Sequence, residues 1–472
     1  MTSSSASPVH GSGGASLARP LALAMALCLL MRLGFLLLVR PWDPSVEANA
    51  ILRDDAMTYH RLAVALLEHG RYAESAEGSA HTFRTPLYPA FMAGVYALAG
   101  PRPWAVLVAQ AALEVGTVAL LFLALTRLFP PRAAVIAVFL YALDPFLTLY
   151  TALPLTDAPF VFLLTAVLAL LSPDLEASGR PRAAVRAALA GLGLGLATLI
   201  RPPSQFLPAL IAPYLLWQHR ARPAQAVTIA VLFVIAFTAV LAPWIGRNWG
   251  LFGRPFLSTA ASYQLLVLNA GPLVAEQRGV PPLQAVAELF SEADAEMNAA
   301  GHDPAALTDI ERAPFYSRVA RRHIVADLAG FARVYARGVI NGLINVNTSG
   351  FSLLLGQTTT SLEMQTYKDP MALMRAFFRN KEAFATRLAL VLGPLLVLGY
   401  LVTLIGIIRR LRERPRGPAL LLLAIGAYFI AIGGALSGVR YRLPAEPFLI
   451  GFTGMGILFL IERLRRRANG NR

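Results

Sequence analysis

Long apolar segments recur along most of the chain and are separated by short polar turns. Many of them approach the roughly 20 residues that a helix needs to cross a bilayer. They lie at residues 20–39, 104–126, 133–150, 157–172, 185–200, 204–217, 225–245, 386–408, 417–437 and 445–462. The pattern predicts an all-α polytopic membrane protein with about 10 transmembrane helices, within a range of about 10 to 13.

Two further apolar segments fit a position at the membrane surface better than a crossing. The segment 86–100, PLYPAFMAGVYALAG, is short and is interrupted by proline. Residues 336–356 are interpreted in the same way. If either segment crossed, basic loops on one side of it would change sides of the membrane. We therefore expect 86–100 to be an interfacial helix within a first outer loop, 40–103.

Amphipathic spacing marks the region between the two groups of apolar segments. The stretches PLQAVAELFSEADAEMNAAG and ERAPFYSRVARRHIVADLAGFARVYARG both show the apolar period of helices, and both lie within residues 246–385. We expect this region to form a small, mostly helical extracytoplasmic cap.

The basic residues of the short loops set the predicted orientation. Loops 127–132, 172–186, 217–225 and 409–417 alternate correctly with the apolar segments if both termini are cytoplasmic. The predicted divisions are a disordered cytoplasmic tail (1–19), a transmembrane module (20–245), the cap region (246–385), C-terminal transmembrane helices (386–462) and a basic cytoplasmic tail (463–472).

Composition agrees with this class and removes some alternatives. The chain is 56% hydrophobic and 15% charged, with a formal net charge of +15. Because the excess charge lies in short loops between apolar segments, it indicates membrane orientation and no nucleic-acid partner. Cys28 is the single cysteine, so an internal disulfide and a cysteine metal cage are both excluded.

Carboxylates at the predicted outer boundary are candidate functional groups. Asp54 and Asp55 open a helical pattern in which Tyr59 shares a face with Asp55. Helix capping alone would also explain an acidic first turn. Asp157 begins a predicted span, where it could cap the helix, although an acid at the membrane boundary is costly and therefore also a functional candidate.

Arginines on the predicted outer side depart from the positive-inside rule. Taken alone, Arg84 could be a residue that extends its side chain to the interface. Several such exceptions on one face indicate a bound anion, because one guanidinium group can donate to two phosphate oxygens at once. Apolar surroundings favour a lipid phosphate, and a nearby carboxylate could act as a base. The other outward arginines are Arg201, Arg247, Arg440 and Arg442.

The order of several motifs resembles the superfamily C membrane glycosyltransferases that use polyprenyl-phosphate sugars. The related branches are protein O-mannosyltransferases (glycosyltransferase family 39), aminoarabinose transferases of lipid A, and Rgt-type galacturonosyltransferases. The resemblance covers most of residues 20–270 and 430–462. It rests on DAMTYHRLAVALLEHGRY, FRTPLYPAF, PLTDAPF, GLGLGLATLIRPPS, APWIGRNWGLFGRPFLST and RYRLPAEPFL.

The resemblance implies roles for individual residues. Asp55 matches the catalytic acid of the first outer loop and would be the general base, with Asp54 as the alternative, and Asp157 matches a second acid. The module 20–245 would be catalytic. Some superfamily members need a divalent metal, but this sequence has no strong metal signature and implies no firm cofactor. The implied phosphate-contact residues are first Arg84, Arg201 and Arg442, followed by Arg247 and Arg440, and Tyr59 and Tyr88 are further donor-binding candidates.

The function expected from these features is sugar transfer from a polyprenyl-phosphate donor to an unidentified lipid, glycan or protein acceptor. The transfer would be an inverting displacement at the extracytoplasmic face of a bacterial cytoplasmic (inner) membrane, with the lipid bilayer as the protein's environment. Two alternatives remain open at this point. They are a flippase or polymerase of lipid-linked glycans, and a transporter of an anionic solute.

Overall fold

The computed structural model describes residues 13–75, 78–172, 180–356 and 384–470, and within them the chain is helical and has no strand. The all-α class is therefore confirmed. The α-helices are α1 (Gly13–Val39), α2 (Pro44–Val46), α3 (Asp54–His69), α4 (Leu87–Ala99), α5 (Pro103–Leu128), α6 (Pro131–Leu143), α7 (Pro145–Thr151), α8 (Asp157–Leu171), α9 (Arg180–Ile200), α10 (Pro208–Gln218), α11 (Pro223–Phe252), α12 (Ala260–Gln264), α13 (Gly271–Arg278), α14 (Pro282–Ala299), α15 (Asp309–Ala326), α16 (Leu328–Ile344), α17 (Thr348–Leu354), α18 (Phe384–Arg412), α19 (Gly417–Ala431), α20 (Val439–Arg442) and α21 (Glu446–Gly470). Short π and 3-10 turns occupy Glu47–Ile51, Pro202–Phe206, Leu265–Ala270 and Leu443–Ala445.

Six helices of the described residues are long and apolar enough to cross a membrane. The pair α6 and α7, bent by 48° at the break between them, would make a seventh span if it crosses as one unit. Other predicted spans correspond to shorter helices, such as α8 with 15 residues and α10 with 11. The multi-pass character is thus supported, while the predicted number of about 10 spans stays a prediction.

Helices also form where the sequence predicted interfacial and cap structure. Helix α4 has 13 residues, too few to cross a bilayer of ordinary thickness. Helices α13, α14 and α15 share an apolar core of their own, in which Leu289 and Met297 are buried. The arrangement of this region as a cap stays a prediction. Parts of the predicted tails, basic loop and cap region, namely 1–12, 173–179, 357–383 and 471–472, lie outside the described residues.

Small residues allow the helices of the bundle to approach closely. The GLGLGL stretch of α9 faces α11, where a side chain on Gly191 would meet the carbonyl oxygen of Phe233 at 2.2 Å. A side chain on Gly195 would likewise meet Val240 at 2.7 Å. Membrane helices commonly use small residues at such contacts, because close approach of two backbones gains van der Waals energy without a hydrophobic driving force.

A buried ion pair stabilises the break between α6 and α7. Helix α6 ends before Asp144 because Pro145 follows, so its last carbonyl groups lack the N–H partners that a continuing helix would supply. Arg32 of α1 donates to two of these carbonyls, those of Tyr141 and Ala142, and pairs with Glu114 of α5 at 3.2 Å. On the other side of the break, Asp144 accepts from the first N–H groups of α7 at 2.8 and 2.7 Å.

Candidate active site

Local backbone features place an acidic residue, Asp157, and a basic residue, Arg201, at the ends of two adjacent helices. Asp157 is the first residue of α8, where the positive end of the helix dipole favours a carboxylate. Arg201 follows the last residue of α9 in extended conformation, as expected of a residue before proline, and Pro202 then starts a 3-10 turn. Because α8 packs on α9, these two ends lie side by side.

Arg84 lies on a loop that three hydrogen bonds hold in place. The hydroxyl of Tyr72 donates to the carbonyl oxygen of Thr85 at 2.9 Å and is 3.1 Å from that of Arg84. From the segment after α11, Ser258 donates to the carbonyl of Phe83 at 2.5 Å. The loop is therefore fixed to Tyr72 and to the segment after α11, although 175 positions separate Phe83 from Ser258.

Five charged side chains from five separate segments form one continuous ion-pair chain. Its order is Arg84, Asp55, Arg440, Asp157, Arg201. Arg84 donates to Oδ1 of Asp55, and Nη1 of Arg440 donates to Oδ2 of Asp55 at 2.8 Å. Nε of Arg440 donates to Oδ2 of Asp157 at 2.8 Å, and Nη1 of Arg201 donates to Oδ1 of Asp157 at 2.6 Å.

The two aspartates of the ion-pair chain differ in exposure. The side chain of Asp157 is 2% exposed and that of Asp55 is 34% exposed. Burial raises the pKa of Asp55, but the guanidinium groups of Arg440 and Arg84 lower it by more, so this pKa lies below its ordinary value of 3.8. Asp55 is therefore an ionised carboxylate at neutral pH, and it is the more exposed of the two aspartates.

Aromatic rings pack against two arginines of the ion-pair chain, Arg84 and Arg201. The guanidinium of Arg84 lies 5.1 Å from the ring centre of Tyr59 and 4.7 Å from that of Phe83, and Arg201 lies 5.4 Å from the ring of Phe160. Such cation–π contacts favour a fixed guanidinium orientation. The sequence predicted that Tyr59 shares a face with Asp55, but the two phenylalanines were not predicted. Phe83 is next to Arg84 in sequence, and Phe160 is one helical turn from Asp157.

Thr156 is a further residue that the sequence analysis did not assign to the site. Its hydroxyl oxygen lies 3.2 Å from Nη2 of Arg440, so three nitrogens of this one guanidinium contact three different side chains. Its position directly before Asp157 is a signal that could have been noticed.

Besides Tyr59, four of the predicted site residues lie outside the ion-pair chain. Asp54 is exposed and has a positive φ of 47°, a conformation that Asp and Asn tolerate better than most residues. Arg247 stacks on Trp244 at 4.5 Å and donates to Asn248. Tyr88 is fully buried, and its hydroxyl donates to Gln110 at 2.8 Å.

Arg442, the fourth of these residues, has a structural partner of its own. Its Nη1 donates to the carbonyl oxygens of Leu343 and Asn345 at 2.8 Å each, at the C-terminal end of α16. A cation at this position satisfies the orphan carbonyls and complements the helix dipole. The residue is 3% exposed, and its guanidinium contacts the end of α16.

The arrangement has the parts needed to bind an anion and to move a proton. Three guanidinium groups converge around two carboxylates, and the more exposed carboxylate is held between two of them. In the part of the chain that the structure describes, no group of three or more His, Cys, Asp or Glu residues is arranged to share a metal ion. Site residues predicted from the sequence thus meet in space, while their chemical roles stay predictions.

Part of the chain matches a family of known proteins. Residues 83–246 match the family model described as dolichyl-phosphate-mannose-protein mannosyltransferase. This range contains Arg84, Asp157 and Arg201 of the ion-pair chain, but neither Asp55 nor Arg440. Among curated proteins, none matches the chain by sequence.

Solved structures show the fold. The chain is similar to the archaeal oligosaccharyltransferase AglB from Archaeoglobus fulgidus in complex with an inhibitory peptide and a dolichol-phosphate, with 16% identity, a TM-score of 0.53, and coverage of 97% of this chain and 52% of that one. The Archaeoglobus fulgidus oligosaccharyltransferase tethered with an acceptor peptide matches with 15% identity and a TM-score of 0.51, over 96% of this chain and 51% of that one.

A third solved structure is less similar. ArnT from Cupriavidus metallidurans bound to undecaprenyl phosphate matches with 14% identity and a TM-score of 0.39, over 94% of this chain and 78% of that one. The chain spans about half the length of the oligosaccharyltransferase structures. The chain therefore shares its fold with the archaeal oligosaccharyltransferase structures, and its residues 83–246 match the family model described as dolichyl-phosphate-mannose-protein mannosyltransferase.

Proposed function

We propose that this protein is an integral-membrane glycosyltransferase that moves a sugar from a polyprenyl-phosphate-linked donor to an acceptor hydroxyl. The observation that carries the proposal is the ion-pair chain, in which Arg84 and Arg440 hold an ionised, partly exposed Asp55. Guanidinium groups are well suited to a phosphate, and a carboxylate beside them supplies a base.

Fold and family support the lipid character of the donor. The oligosaccharyltransferase structure that shares this fold contains a dolichol-phosphate, and the matching family model is named for dolichyl-phosphate-mannose. By analogy we assign a polyprenyl phosphate as the sugar carrier of this chain. The sugar and the acceptor are left open, because no contact in the site distinguishes among them.

The residues of the site have distinct roles in this reaction. Asp55 takes the proton of the acceptor hydroxyl, whose oxygen forms a bond to the anomeric carbon of the sugar. The bond from that carbon to the phosphate oxygen breaks, and its electron pair leaves with the polyprenyl phosphate. Arg84, Arg440 and Arg201 stabilise the departing phosphate. A single displacement inverts the anomeric configuration, since no covalent sugar-enzyme intermediate forms.

A donor screen tests this function. The full-length protein in lipid nanodiscs is incubated with polyprenyl phosphates that carry different sugars and with candidate acceptors, and the release of free polyprenyl phosphate is followed by mass spectrometry. We expect acceptor-dependent release for at least one donor and none with Asp55→Asn. Movement of an intact lipid-linked sugar across proteoliposomes without release would support the flippase alternative.

We further propose that the site faces the extracytoplasmic side of a bacterial cytoplasmic membrane and that both termini are cytoplasmic. The basic loops support this orientation through the positive-inside rule. In a Cys28→Ser background, a single cysteine at exposed Ser75 is expected to react with a membrane-impermeant maleimide in spheroplasts. A cysteine at exposed Arg414, in a basic loop, is expected to react only after lysis, and the reverse pattern would overturn the orientation.

A further inference from the structure

Asp55 and the donor phosphate require the same two guanidinium groups. Arg84 donates to one carboxylate oxygen of Asp55 and Arg440 to the other. The structure thus shows a carboxylate whose two oxygens each accept from an arginine. A carboxylate held in this way is a weaker base than a free one, because both contacts favour its charged form.

The two aspartates of the ion-pair chain differ in their exposure to an incoming anion. Asp157 is almost fully buried, and both of its oxygens are engaged by Arg201 and Arg440. Asp55 is the most exposed of the five side chains, at 34% compared with 22% for Arg440 and 17% for Arg84. An anion that reaches the exposed Asp55 therefore competes with it for Arg84 and Arg440, while Asp157 continues to hold Arg201 and Arg440 together.

The charges of the site fit this competition. By formal count, the three arginines and two aspartates of the ion-pair chain carry one net positive charge. A polyprenyl-phosphate sugar is a phosphodiester and has one negative charge. During transfer the acceptor proton neutralises Asp55, and the leaving phosphate gains one negative charge when the bond to the sugar breaks. The total charge is unchanged, but its position moves from the carboxylate to the phosphate.

We propose that Arg84 and Arg440 are shared between Asp55 and the lipid phosphate, so that the phosphate displaces the carboxylate from the arginines and receives their full charge as Asp55 takes the acceptor proton. This inference rests on the proposed transferase function. It assigns the two arginines a role in coupling proton uptake to leaving-group stabilisation. Asp157 is a positioning residue in this scheme, because it holds the like-charged guanidinium groups of Arg201 and Arg440 side by side.

Binding of the product lipid tests the sharing without any transfer step. The affinity of a short-chain polyprenyl phosphate without sugar is measured on the full-length protein in nanodiscs for wild type, Asp55→Asn and Asp54→Asn. Asp55→Asn removes the competing carboxylate, so we expect affinity to rise by about tenfold, the effect of one additional charge-assisted hydrogen bond. Asp54→Asn removes the same formal charge from an exposed neighbour and suits the positive φ there, so only a small gain is expected.

Further variants distinguish the sharing from general electrostatics and from misfolding. The gain should disappear when Arg84→Gln is added to Asp55→Asn, because one of the released guanidinium groups is then absent. Asp55→Ser, with a different uncharged side chain, should show the same gain if Asp55→Asn does not fold. Equal or weaker binding by folded Asp55 variants relative to Asp54→Asn would overturn the proposal.

The two proposals fail in different ways. A gain in phosphate affinity without transfer from any tested donor would support the sharing of the arginines and count against the transferase function. Transfer without a gain in affinity would leave the transferase function standing and remove the sharing.

Discussion

Nη1 of Arg440 donates to Oδ2 of Asp55 across 2.8 Å, although 385 positions separate the two residues in the sequence. The same guanidinium contacts Asp157, so it joins the helix of the first predicted outer loop to the start of α8. Arg440 is thus the central member of the ion-pair chain. Its planar, multi-donor head group is what permits simultaneous contact with two carboxylates.

Replacement of Arg440 by lysine tests the requirement for this geometry. Lysine keeps the charge but has one compact ammonium group, so it cannot reproduce separate hydrogen bonds from Nε and Nη1. We expect kcat/KM for the donor to fall by about 10- to 100-fold, the equivalent of one lost charge-assisted hydrogen bond. Steady-state kinetics measure the loss. An Arg440→Lys variant with wild-type kcat/KM would show that charge alone suffices.

The pH dependence of kcat/KM reports the state of Asp55 in the free enzyme. Asp55 must be ionised to act as a base, and Arg440 and Arg84 hold its pKa below 3.8. Activity that depends on this carboxylate is therefore retained as pH falls until this low pKa is reached. Arg84→Gln removes one of the two lowering charges, so the acid limb of the profile should move to higher pH. An unmoved limb would mean that another group controls it.

Asp157 is expected to matter for stability as well as for activity. Its 2% exposed carboxylate compensates two guanidinium groups, and loss of one partner from a buried ion pair typically costs about 3–5 kcal/mol. We predict a clearly lower thermal unfolding temperature for Asp157→Ala in detergent and a smaller decrease for Asp157→Asn, which retains one acceptor oxygen. Asp294→Ala, at an exposed position, is the matched control and should unfold like wild type.

Arg32 and Glu114 test the account of the break between α6 and α7. Each single substitution, Arg32→Met or Glu114→Gln, leaves an opposite charge buried without its partner. The double variant removes both charges, so its loss of stability should be smaller than the sum of the two single losses. Thermal unfolding of the four proteins measures this coupling. Additive losses would show that the pair does not act as a unit.

The sequence predicted the helical class and several residues that meet in the site, but the ranking of Asp55 ahead of Asp54 and of Arg442 ahead of Arg440 came from the resemblance and not from local pattern. Arg440 and Arg442 lie on one short helix, and residues two apart on a helix do not share a face. One therefore faces Asp55 and the other the carbonyls of α16, and only the folded position of α16 decides which. The same limit applied to Asp54 and Asp55, which are adjacent and chemically equal.

Arg32 shows a second kind of limit. In the sequence it is a charge inside an apolar segment, but its carbonyl partners lie at the end of α6, more than a hundred positions away. A break in one helix and a cation on another become related only when the bundle packs. Local patterns therefore identified unusual residues, while tertiary packing determined which of them are structural and which belong to the site.

The central claim is that Asp55 is the base of a sugar transfer from a lipid phosphate. The adjacent carboxylate, that of Asp54, provides the most direct control. Sugar transfer from the active polyprenyl-phosphate donor is measured for wild type, Asp55→Asn and Asp54→Asn at equal amounts of folded protein. We predict loss of transfer by about 100-fold or more for Asp55→Asn, the lower range for removal of a general base, and retained transfer for Asp54→Asn. Full turnover by Asp55→Asn would contradict the account.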